Sequence, residues 1–537
     1  MPKRLRNWLA RTVRYRATDK VLALAAIALV GYVIVYPFSV GALPPITDLP
    51  FHAAETAILR HYGDPAWHFR EQFSLHLFDA PYVSMYLVGL FFAWILPIVT
   101  ATKGMAVVML ALMPAGLAVM FHGMRKSPLW GLLGLALVWC TLTHWGFLNF
   151  MGAIGLFAMS IGLTLLTLDH PTRLRTIGLT ATLLAIFFTH VYRFPFAVAA
   201  VVGTTVVMYP ATRRIRPVIA PLAIALGVFG IWRVFRRATL GSNVEGIGWH
   251  GERVHEIPGH LFGSYMGPAE QELATRMLWV TLALFGVTTV LFFAQGRHRK
   301  RGSRARWWGI GVTLIPLAIA AVYLGCYFVL PMTIGVWWFV YPREIVTAAF
   351  IAVGAFPDMP RQWWLKVPIV GAIAFAVAPL SFFVALQFRD FDQATADFRA
   401  VAADVPMSPK LMYLVFDHSG STRTTTPFIH LPAWVQAEKG GWLSWHFVSW
   451  DLHPIRYREN DPHVPPPRPE RWEWTPGLFN VNRDGPWFDT FLVRNRFDPG
   501  ATFADDPAIQ LQSHQGTWWL YRRGLHTGEA SPSSAER

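Results

Sequence analysis

The sequence has few charged residues, very little cysteine and no nucleotide-binding motif. Asp, Glu, Lys and Arg make up 15% of its 537 residues, whereas a soluble domain carries about 25%, so a water-soluble cytosolic enzyme is nearly excluded. Both cysteines, Cys140 and Cys326, lie in apolar runs, which excludes a disulfide framework and a cysteine-based zinc site. Neither GxxxxGK(S/T) nor a GxGxxG that follows a strand is present, and this argues against an ATP-driven pump.

Apolar and aromatic residues dominate the chain instead. Hydrophobic residues make up 53% of it, the mean hydropathy is +0.35, and its 24 Trp and 39 Phe exclude a disordered or collagen-like chain. A helix that crosses a bilayer needs about 20 mostly apolar residues. The candidate spans are 20–41, 104–122, 128–143, 147–168, 174–190, 194–210, 217–235, 273–295, 307–330, 334–356 and 365–386. We therefore predict an all-α polytopic membrane protein with about eleven transmembrane helices.

The positive charges indicate on which side of the membrane each loop lies. The net charge is +15, and basic residues cluster in the N-terminus at 1–19 and at 125–126, 173–175, 213–216, 297–306 and 361–366. Cytoplasmic loops are enriched in Lys and Arg, so we assign these clusters to the cytoplasm rather than to nucleic-acid binding. The apolar stretch 83–99, broken by Pro97, then stays outside as a juxtamembrane or re-entrant segment. The alternative is that it crosses and a later segment does not.

This topology divides the chain into a membrane domain and an outer domain. The membrane domain covers 20–387, with two long outer loops at 42–103 and 236–272. After Leu386 charged residues and prolines become common, so we predict a small extracytoplasmic α/β domain at 388–526 and a disordered tail at 527–537. Within that domain the pattern predicts helices at 389–404 and 430–440 and strands at 411–416, 488–494 and 516–522.

The most informative polar residues come directly after the first span, in the stretch TDLPFHAAE at 47–55. Asp48 lies on a loop at the outer membrane edge, and its spacing to His52 and Glu55 puts all three on nearly one helical face. A partly desolvated carboxylate at this place would be able to take a proton from an acceptor hydroxyl, as a general base does. The alternative is that Asp48 only caps the helix that follows, which Asp does well.

Three short segments resemble GT-C-type membrane glycosyltransferases. The first span, DLPFHAAETAIL at 48–59, GDP at 63–65 and the apolar segment that follows are similar to the first outer loop of this family. The similarity is greatest to a group of uncharacterised bacterial members with DLPxH. GFLNFMGAIG at 146–155 resembles the GFLNYxxGxG segment of the same group. A weaker similarity covers His430, Ala433-Trp434 and Gly440-Gly441.

The resemblance implies a glycosyltransferase (EC 2.4) of the bacterial cytoplasmic (inner) membrane. Such an enzyme transfers a sugar from a polyprenyl-phosphate donor to an extracytoplasmic glycan, lipid or protein. An acidic residue in the first outer loop is the catalytic base in this family, and that role falls to Asp48. His52, Glu55 and Asn149 become candidates for substrate binding. Many GT-C enzymes have an acidic pair where this sequence has DLPFH, a departure that concerns both catalysis and metal dependence.

The phosphate of such a donor needs cations near the outer membrane face. The candidates are Arg193, which follows His190 at an outer turn, His190 itself, and Arg343 in the outer half of its span. Arginine is costly in a span unless it is paired or faces a polar cavity, and its planar fork suits phosphate oxygens. The alternatives are an ion pair of Arg343 with Glu344 or another acid, and an Arg193 that snorkels to lipid headgroups.

The second outer loop is rich in His and Glu. His250, His255, Glu256 and His260 are weak candidates for ligands of a divalent metal, which would bridge the donor phosphate if the resemblance holds. HExxH is absent from the loop. The alternative is a solvated polar loop that binds no metal.

Two other classes of function stay open. The chain is alternatively a non-catalytic membrane protein that binds lipid-linked sugar or acts in envelope polysaccharide assembly or export. A transporter is the third possibility. The absence of a strong internal repeat and the scarcity of ionisable residues at the centres of the spans argue against it.

Overall fold

The computed structural model describes most of the chain. It covers residues 3–235, 246–263, 268–295, 302–335, 337–420, 425–449, 453–458 and 473–524, with the backbone alone at 3–18 and 268. Parts of the loop 236–272 and of the basic cluster 297–306 lie outside the described residues. So do the side chains of the basic N-terminus and the tail at 527–537, for which disorder is predicted.

Helices make up most of the structure. The first ten are α1 (Lys3–Ser39), α2 (Leu49–His61), α3 (Phe69–Gln72), α4 (Ser84–Ala93), α5 (Ile98–Gly123), α6 (Thr141–Trp145), α7 (Leu148–Asp169), α8 (Arg173–Thr189), α9 (Phe194–Thr212) and α10 (Arg216–Phe235). The others are α11 (Ile257–Phe262), α12 (Pro268–Ala294), α13 (Ser303–Val329), α14 (Val340–Ala352), α15 (Trp363–Ala394), α16 (Ala396–Ala403), α17 (Ala433–Lys439) and α18 (Val481–Asp484).

Within the described ranges, eight helices are long and apolar enough to cross a membrane. They are α1 from Asp19, α5, α7, α9 with the turn before it, α10, α12, α13 and α15. Each of them falls on one of the predicted spans, because a continuous apolar run of this length has no other stable place than a bilayer. The chain is therefore a multi-pass membrane protein, as predicted.

The three remaining predicted spans contain shorter helices than these eight. Residues 128–143 form a 3₁₀ helix only over Pro128–Leu137, α8 has 17 residues and α14 has 13. The 3₁₀ helix packs tightly on α5, since a Cβ added at Gly131 would lie 2.6 Å from the carbonyl oxygen of Pro114. The total of about eleven spans stays a prediction.

The stretch 83–99 contains only the short helix α4 and a break before Pro97. Ten residues of helix rise about 15 Å, which is about half of the hydrocarbon thickness. This length agrees with the predicted segment that does not cross. After the break, α5 begins at Ile98, six residues before the predicted start of that span, because Pro is well tolerated at a helix start.

Glycines bring α5 and α7 into direct backbone contact. A Cβ added at Gly116 would lie 1.9 Å from the carbonyl oxygen of Gly155, and one at Gly123 would lie 2.3 Å from that of Gly162. Helices in lipid associate largely through such close packing of small residues, because moving apolar side chains out of lipid gains nothing. The contact fixes α7, whose first residue, Leu148, follows the loop that meets Asp48.

The outer region is a small mixed α/β unit. Its strands are β2 (Lys410–Val415), β3 (Trp442–Leu443), β5 (Thr490–Arg494), β6 (Ile509–Gln515) and β7 (Trp518–Arg523), in the order β3-β2-β5-β7-β6. The pairs of β2 with β3 and β5 are parallel, and those of β7 with β5 and β6 are antiparallel. The α/β class of this region agrees with the prediction.

Most predicted elements of this region lie within three residues of those observed. The predicted helix 430–440 begins at Ala433 and ends before Gly440 and Gly441, which have φ values of +78° and +77°. The predicted helix 389–404 is instead the end of α15 followed by α16. Strand β6 was not predicted, since only Ile509 and Leu511 of its seven residues are apolar. A separate pair, β1 (Phe73–Leu75) with β4 (Ile455–Tyr457), joins the first outer loop to this region.

Replacing Gly155 by Val should destabilise the membrane domain. A Cβ at this position would lie 2.3 Å from the carbonyl oxygen of Leu112, so α5 and α7 would have to separate, at a cost of about 1–3 kcal/mol or more. The thermal unfolding temperature of the purified protein in detergent measures the effect. Gly286→Val in α12 is the matched control, since nothing lies within 4 Å of a Cβ there. Equal unfolding temperatures for the two variants would contradict the packing argument.

Candidate active site

The loop that carries Asp48 is docked on the turn before α7. The backbone N–H of Thr47 donates to the carbonyl oxygen of His144 over 3.0 Å, and that of Asp48 donates to Trp145 over 3.1 Å. Gly146 has a φ of +99°, and a Cβ there would lie 2.7 Å from Cβ of Asp48. Only glycine fits this position, because both its φ and the space available exclude a side chain.

Asp48 occupies the position before α2 but does not cap the helix. Its side chain makes no capping hydrogen bond, so the interpretation of Asp48 as a simple N-cap is not what the structure shows. Its Oδ1 accepts a hydrogen bond from Nδ1 of His430 over 3.0 Å, and the two side chains are 13% and 7% exposed. Within the described ranges, Nε2 of His430 is buried without a hydrogen-bond partner, and the Asp48 carboxylate is bonded through Oδ1 alone. The carboxylate thus keeps one free oxygen.

His52 and Glu55 meet around Tyr86, and neither is hydrogen-bonded to the Asp48 carboxylate within the described ranges. The Tyr86 hydroxyl donates to Oε1 of Glu55 over 2.8 Å and lies 3.0 Å from Nδ1 of His52. Nδ1 of His453 lies 2.8 Å and 3.0 Å from the two oxygens of Glu55. Nε2 of His52 lies 3.2 Å from the carbonyl oxygen of Gly146. Both predicted binding residues are therefore engaged in a buried network that joins α2 to α4 and to the outer domain.

Burial shifts the titration of this network. Desolvation would raise the pKa of Glu55, but the charge and hydrogen bond of His453 outweigh it and hold that pKa below its ordinary value. Desolvation lowers the pKa of His52, and it lowers that of the neighbouring His446 to about 3 despite the attraction of Glu55. At neutral pH, Glu55 is therefore ionised and both His52 and His446 are neutral.

Arg193 forms a buried ion pair with Glu344. Its two terminal nitrogens donate to the two carboxylate oxygens over 2.6 Å and 2.7 Å, and both side chains are at most 1% exposed. The alternative in which Arg193 snorkels to headgroups is therefore wrong. Its guanidinium also lies 4.6 Å above the ring of Phe150 and 5.1 Å from that of Tyr323.

Arg343 does not pair with Glu344, whose oxygens are both taken by Arg193. Its Nη2 donates to the carbonyl oxygen of Trp338 over 2.8 Å, and its Nη1 lies 3.4 Å from Nε2 of His190. No carboxylate in the described part of the chain forms an ion pair with it. Its guanidinium lies 4.1 Å over the ring of Phe147, the residue that follows Gly146. The turn that docks Asp48 therefore also contacts Arg343.

His190 lies close to this cation, and Asn149 lies on the neighbouring turn of α7. His190 is buried, and its Nδ1 has no hydrogen-bond partner among the described residues. Asn149 is on the first turn of α7, and its Oδ1 accepts from the backbone N–H of Phe150 over 2.8 Å. His190 thus lines the site with Arg343, whereas the Asn149 side chain bonds its own helix.

An apolar groove lies near the ion pair of Arg193. It lies between α9 and α13 and has a volume of about 190 Å³, with Ala200, Thr204, Ile319 and Tyr323 among its lining residues. Tyr323 at its end contacts the guanidinium of Arg193. A separate, very small pocket of about 10 Å³ is lined by His190, Trp337, Arg343 and Glu344. The contact of Tyr323 with Arg193 is therefore what joins the groove to the buried charges.

The four candidate metal ligands of the second outer loop do not assemble. Nδ1 of His250 lies 3.0 Å from Glu252, and Nε2 of His260 lies 3.2 Å from Glu256, which also accepts from the Tyr341 hydroxyl over 2.5 Å. His255 is exposed. No group of three or more His, Cys, Asp or Glu suited to a metal ion occurs in the described ranges.

The arrangement of membrane helices, first outer loop and outer domain is the fold of GT-C-type membrane glycosyltransferases. The chain is similar to ArnT from Cupriavidus metallidurans, whose crystal structure is bound to undecaprenyl phosphate. The TM-score is 0.52 and the identity 12%, over 93% of this chain and 98% of that one. It is also similar to the arabinofuranosyltransferase AftD from Mycobacteria, with a TM-score of 0.50 and 14% identity. That likeness covers 94% of this chain but only 40% of AftD. No family model and no curated protein matches the sequence.

Acidification should destabilise the protein through His446. The unfolded chain has the ordinary pKa near 6.5, and the folded protein has a value of about 3, so between these values the unfolded chain binds one more proton. The free energy of unfolding should therefore fall by up to about 1.4 kcal/mol per unit as the pH drops below 6.5. Thermal unfolding followed from about pH 7 to about pH 5 checks this.

His446→Asn should flatten this pH dependence. Asn retains an acceptor for the backbone N–H of Val448, which lies 3.2 Å from Nδ1 of His446, but it does not titrate. His170→Asn is the control, because the His170 side chain is 73% exposed. The explanation fails if H446N and H170N show the same slope as the unchanged protein.

Proposed function

We propose that this protein is a glycosyltransferase that moves a sugar from a polyprenyl-phosphate donor to an extracytoplasmic acceptor. The shared fold supports it, and so does the undecaprenyl phosphate bound in the ArnT structure. The protein then lies in the bacterial inner membrane, with a cytoplasmic N-terminus and the outer domain at 388–526 on the side of the acceptor. That acceptor is a glycan, a lipid or a protein.

The observation that carries the proposal is the state of Asp48. Its carboxylate does not cap α2, is held by His430 through one oxygen and keeps the other available. The acceptor hydroxyl gives its proton to this oxygen while its own oxygen bonds to the anomeric carbon of the sugar. The bond from that carbon to the phosphate breaks, and polyprenyl phosphate leaves with the electron pair. His430 is a positioning residue that orients the carboxylate.

Arg343 is the residue that binds the donor phosphate. It is buried, no carboxylate within the described ranges forms an ion pair with it, and it lines a small pocket together with His190 and Trp337. The groove between α9 and α13, whose walls are almost wholly apolar, would hold only the isoprenoid units nearest to the phosphate, and the rest of the chain would lie in the bilayer. Arg193 and Glu344 then neutralise each other and hold α9 against α14, so they position the site without touching the phosphate.

A non-catalytic role in binding lipid-linked sugar is the second candidate. The observation that favours it is the single carboxylate with a free oxygen, because Glu55 is fully buried and bonded to Tyr86 and His453. In that role the groove and Arg343 bind donor, but Asp48 serves only to anchor His430 of the outer domain. Binding without turnover distinguishes this candidate from the enzyme.

Asp48→Asn should abolish transfer and leave donor binding intact. Loss of a general base costs about 100-fold to 10,000-fold in rate, whereas Asn retains an oxygen that accepts from His430. The measurement is release of polyprenyl phosphate, and transfer of labelled sugar, by the full chain in nanodiscs with a panel of donors and acceptors. Asp64→Asn is the matched control, since exposed Asp64 caps a short turn by accepting from Ala66 and Asn caps equally well. Undiminished transfer by D48N would remove Asp48 as the base.

Arg343→Gln should weaken binding of undecaprenyl phosphate by about 10-fold to 100-fold, the worth of a hydrogen bond to a charged group. Native mass spectrometry of the protein in nanodiscs, titrated with undecaprenyl phosphate, measures this affinity. Arg496→Gln is the control, because the Arg496 side chain is 74% exposed in the outer domain. Unchanged affinity in R343Q would place the phosphate elsewhere.

A further inference from the structure

A second cavity lies at the end of the membrane domain opposite to Asp48. Its volume is about 780 Å³, within the range of about 300–1,000 Å³ that is usual for ligand sites. Helix α1 lines it from Asp19 to Val30. Asp48 comes after the other end of α1, at Ser39, which is about 30 Å from Asp19 along the helix axis. The cavity therefore opens near the other face of the bilayer.

The cavity has an apolar interior and a charged mouth. Ala23 and Ala26 of α1 and Ala111 and Ala115 of α5 form much of the interior, and their small side chains leave the space open. The mouth is lined by the charged residues Asp19, Arg125, Lys126, Asp358, Arg361 and Lys366. Four cations thus face two carboxylates.

Two of the four cations are paired. Lys366 lies 2.7 Å from Asp19, and Arg125 lies 2.7 Å from Asp169, which is outside the cavity wall. These pairs leave Lys126 and Arg361 as the cations of the mouth whose charge is available to a ligand.

Lys126 and Arg361 are placed to contact a bound anion. Lys126 donates to the carbonyl oxygen of Gly354 over 2.7 Å, which uses one of its three N–H groups. Desolvation lowers its pKa to about 7 despite the attraction of Asp358, so an anion beside it would stabilise its charged form. Arg361 is exposed, and no described residue forms a hydrogen bond or an ion pair with it. The backbone N–H of Ser127 already donates to Asp358 over 2.9 Å.

The depth of the cavity indicates the kind of ligand. The wall from Asp19 to Val30 rises about 16 Å, about half of a hydrocarbon core of about 30 Å. That is the depth of one leaflet, which the acyl chain of a glycerophospholipid fills. A polyprenyl chain is much longer and fits this dimension poorly.

We propose that this cavity binds one anionic glycerophospholipid, with its phosphate at Lys126 and Arg361 and an acyl chain between α1 and α5. The lipid fills a space that the helices leave open, and its phosphate adds negative charge to a mouth in which four cations face two carboxylates. The site is separate from the one that contains Asp48, and the proposal does not depend on a transferase activity.

The test measures lipid bound to the full chain in nanodiscs of phosphatidylcholine that contain phosphatidylglycerol, undecaprenyl phosphate or neither. A photoreactive phosphatidylglycerol identifies the contacted residues by mass spectrometry. We expect crosslinks to the walls of this cavity and weaker binding, by about tenfold or more, in Ala115→Trp and Arg361→Glu. Ala115→Trp places a large ring in the space of the cavity, and Arg361→Glu reverses one positive charge at its mouth.

Matched controls lie on other helices. Val290→Trp adds the same ring at a position of α12 that is 67% exposed, and Arg304→Glu reverses an exposed charge on α13. Both should bind phosphatidylglycerol like the unchanged protein. The proposal is overturned if A115W and R361E bind it equally well, if phosphatidylcholine binds with the same affinity, or if undecaprenyl phosphate displaces it from the crosslinked residues.

Discussion

The contact between Asp48 and the turn at Gly146 is the constraint on which the candidate site depends. Gly146 lies against Asp48, its carbonyl oxygen faces His52, and the next residue, Phe147, packs under Arg343. One turn therefore sets the relative positions of the acid, the buried network and the cation. The close backbone contact of α5 with α7 fixes that turn in the membrane domain. The geometry of the site therefore depends on the tight packing of these two helices.

The outer domain completes this site. Two acids of α2 are each held by a histidine of the outer region, Asp48 by His430 and Glu55 by His453. The two carboxylates nevertheless differ in chemistry. Glu55 is fully buried and shared by several donors, whereas Asp48 is partly exposed and keeps a free oxygen. The difference in environment suits one acid to holding the domains together and the other to accepting a proton.

Local sequence patterns predicted the helical spans, several strands and the position of Asp48, because each depends on residues close in the chain. The partners of the acids were not predictable, since His430 and His453 lie more than 370 residues away from them. His430 falls in a weakly similar segment, but nothing in the sequence paired it with Asp48. The sequence allowed an ion pair of Glu344 with Arg343, whereas the structure pairs Glu344 with Arg193. Helix geometry explains the difference. Neighbouring residues of a helix point about 100° apart, so Arg343 and Glu344 cannot share a face, and Glu344 turns toward Arg193.

Because Glu344 pairs with Arg193, the second arginine, Arg343, is buried near the candidate base without an ion pair among the described residues. An unpaired charge is costly to bury. Arg193 avoids this cost because it is neutralised by Glu344, both of whose carboxylate oxygens it binds. Among the described residues, Arg343 instead contacts a carbonyl oxygen, the imidazole of His190 and the rings of Phe147 and Phe150. These groups orient the guanidinium without neutralising it. On the proposed function the donor phosphate is the missing counter-ion, so binding is favoured at the place where the leaving group must be held.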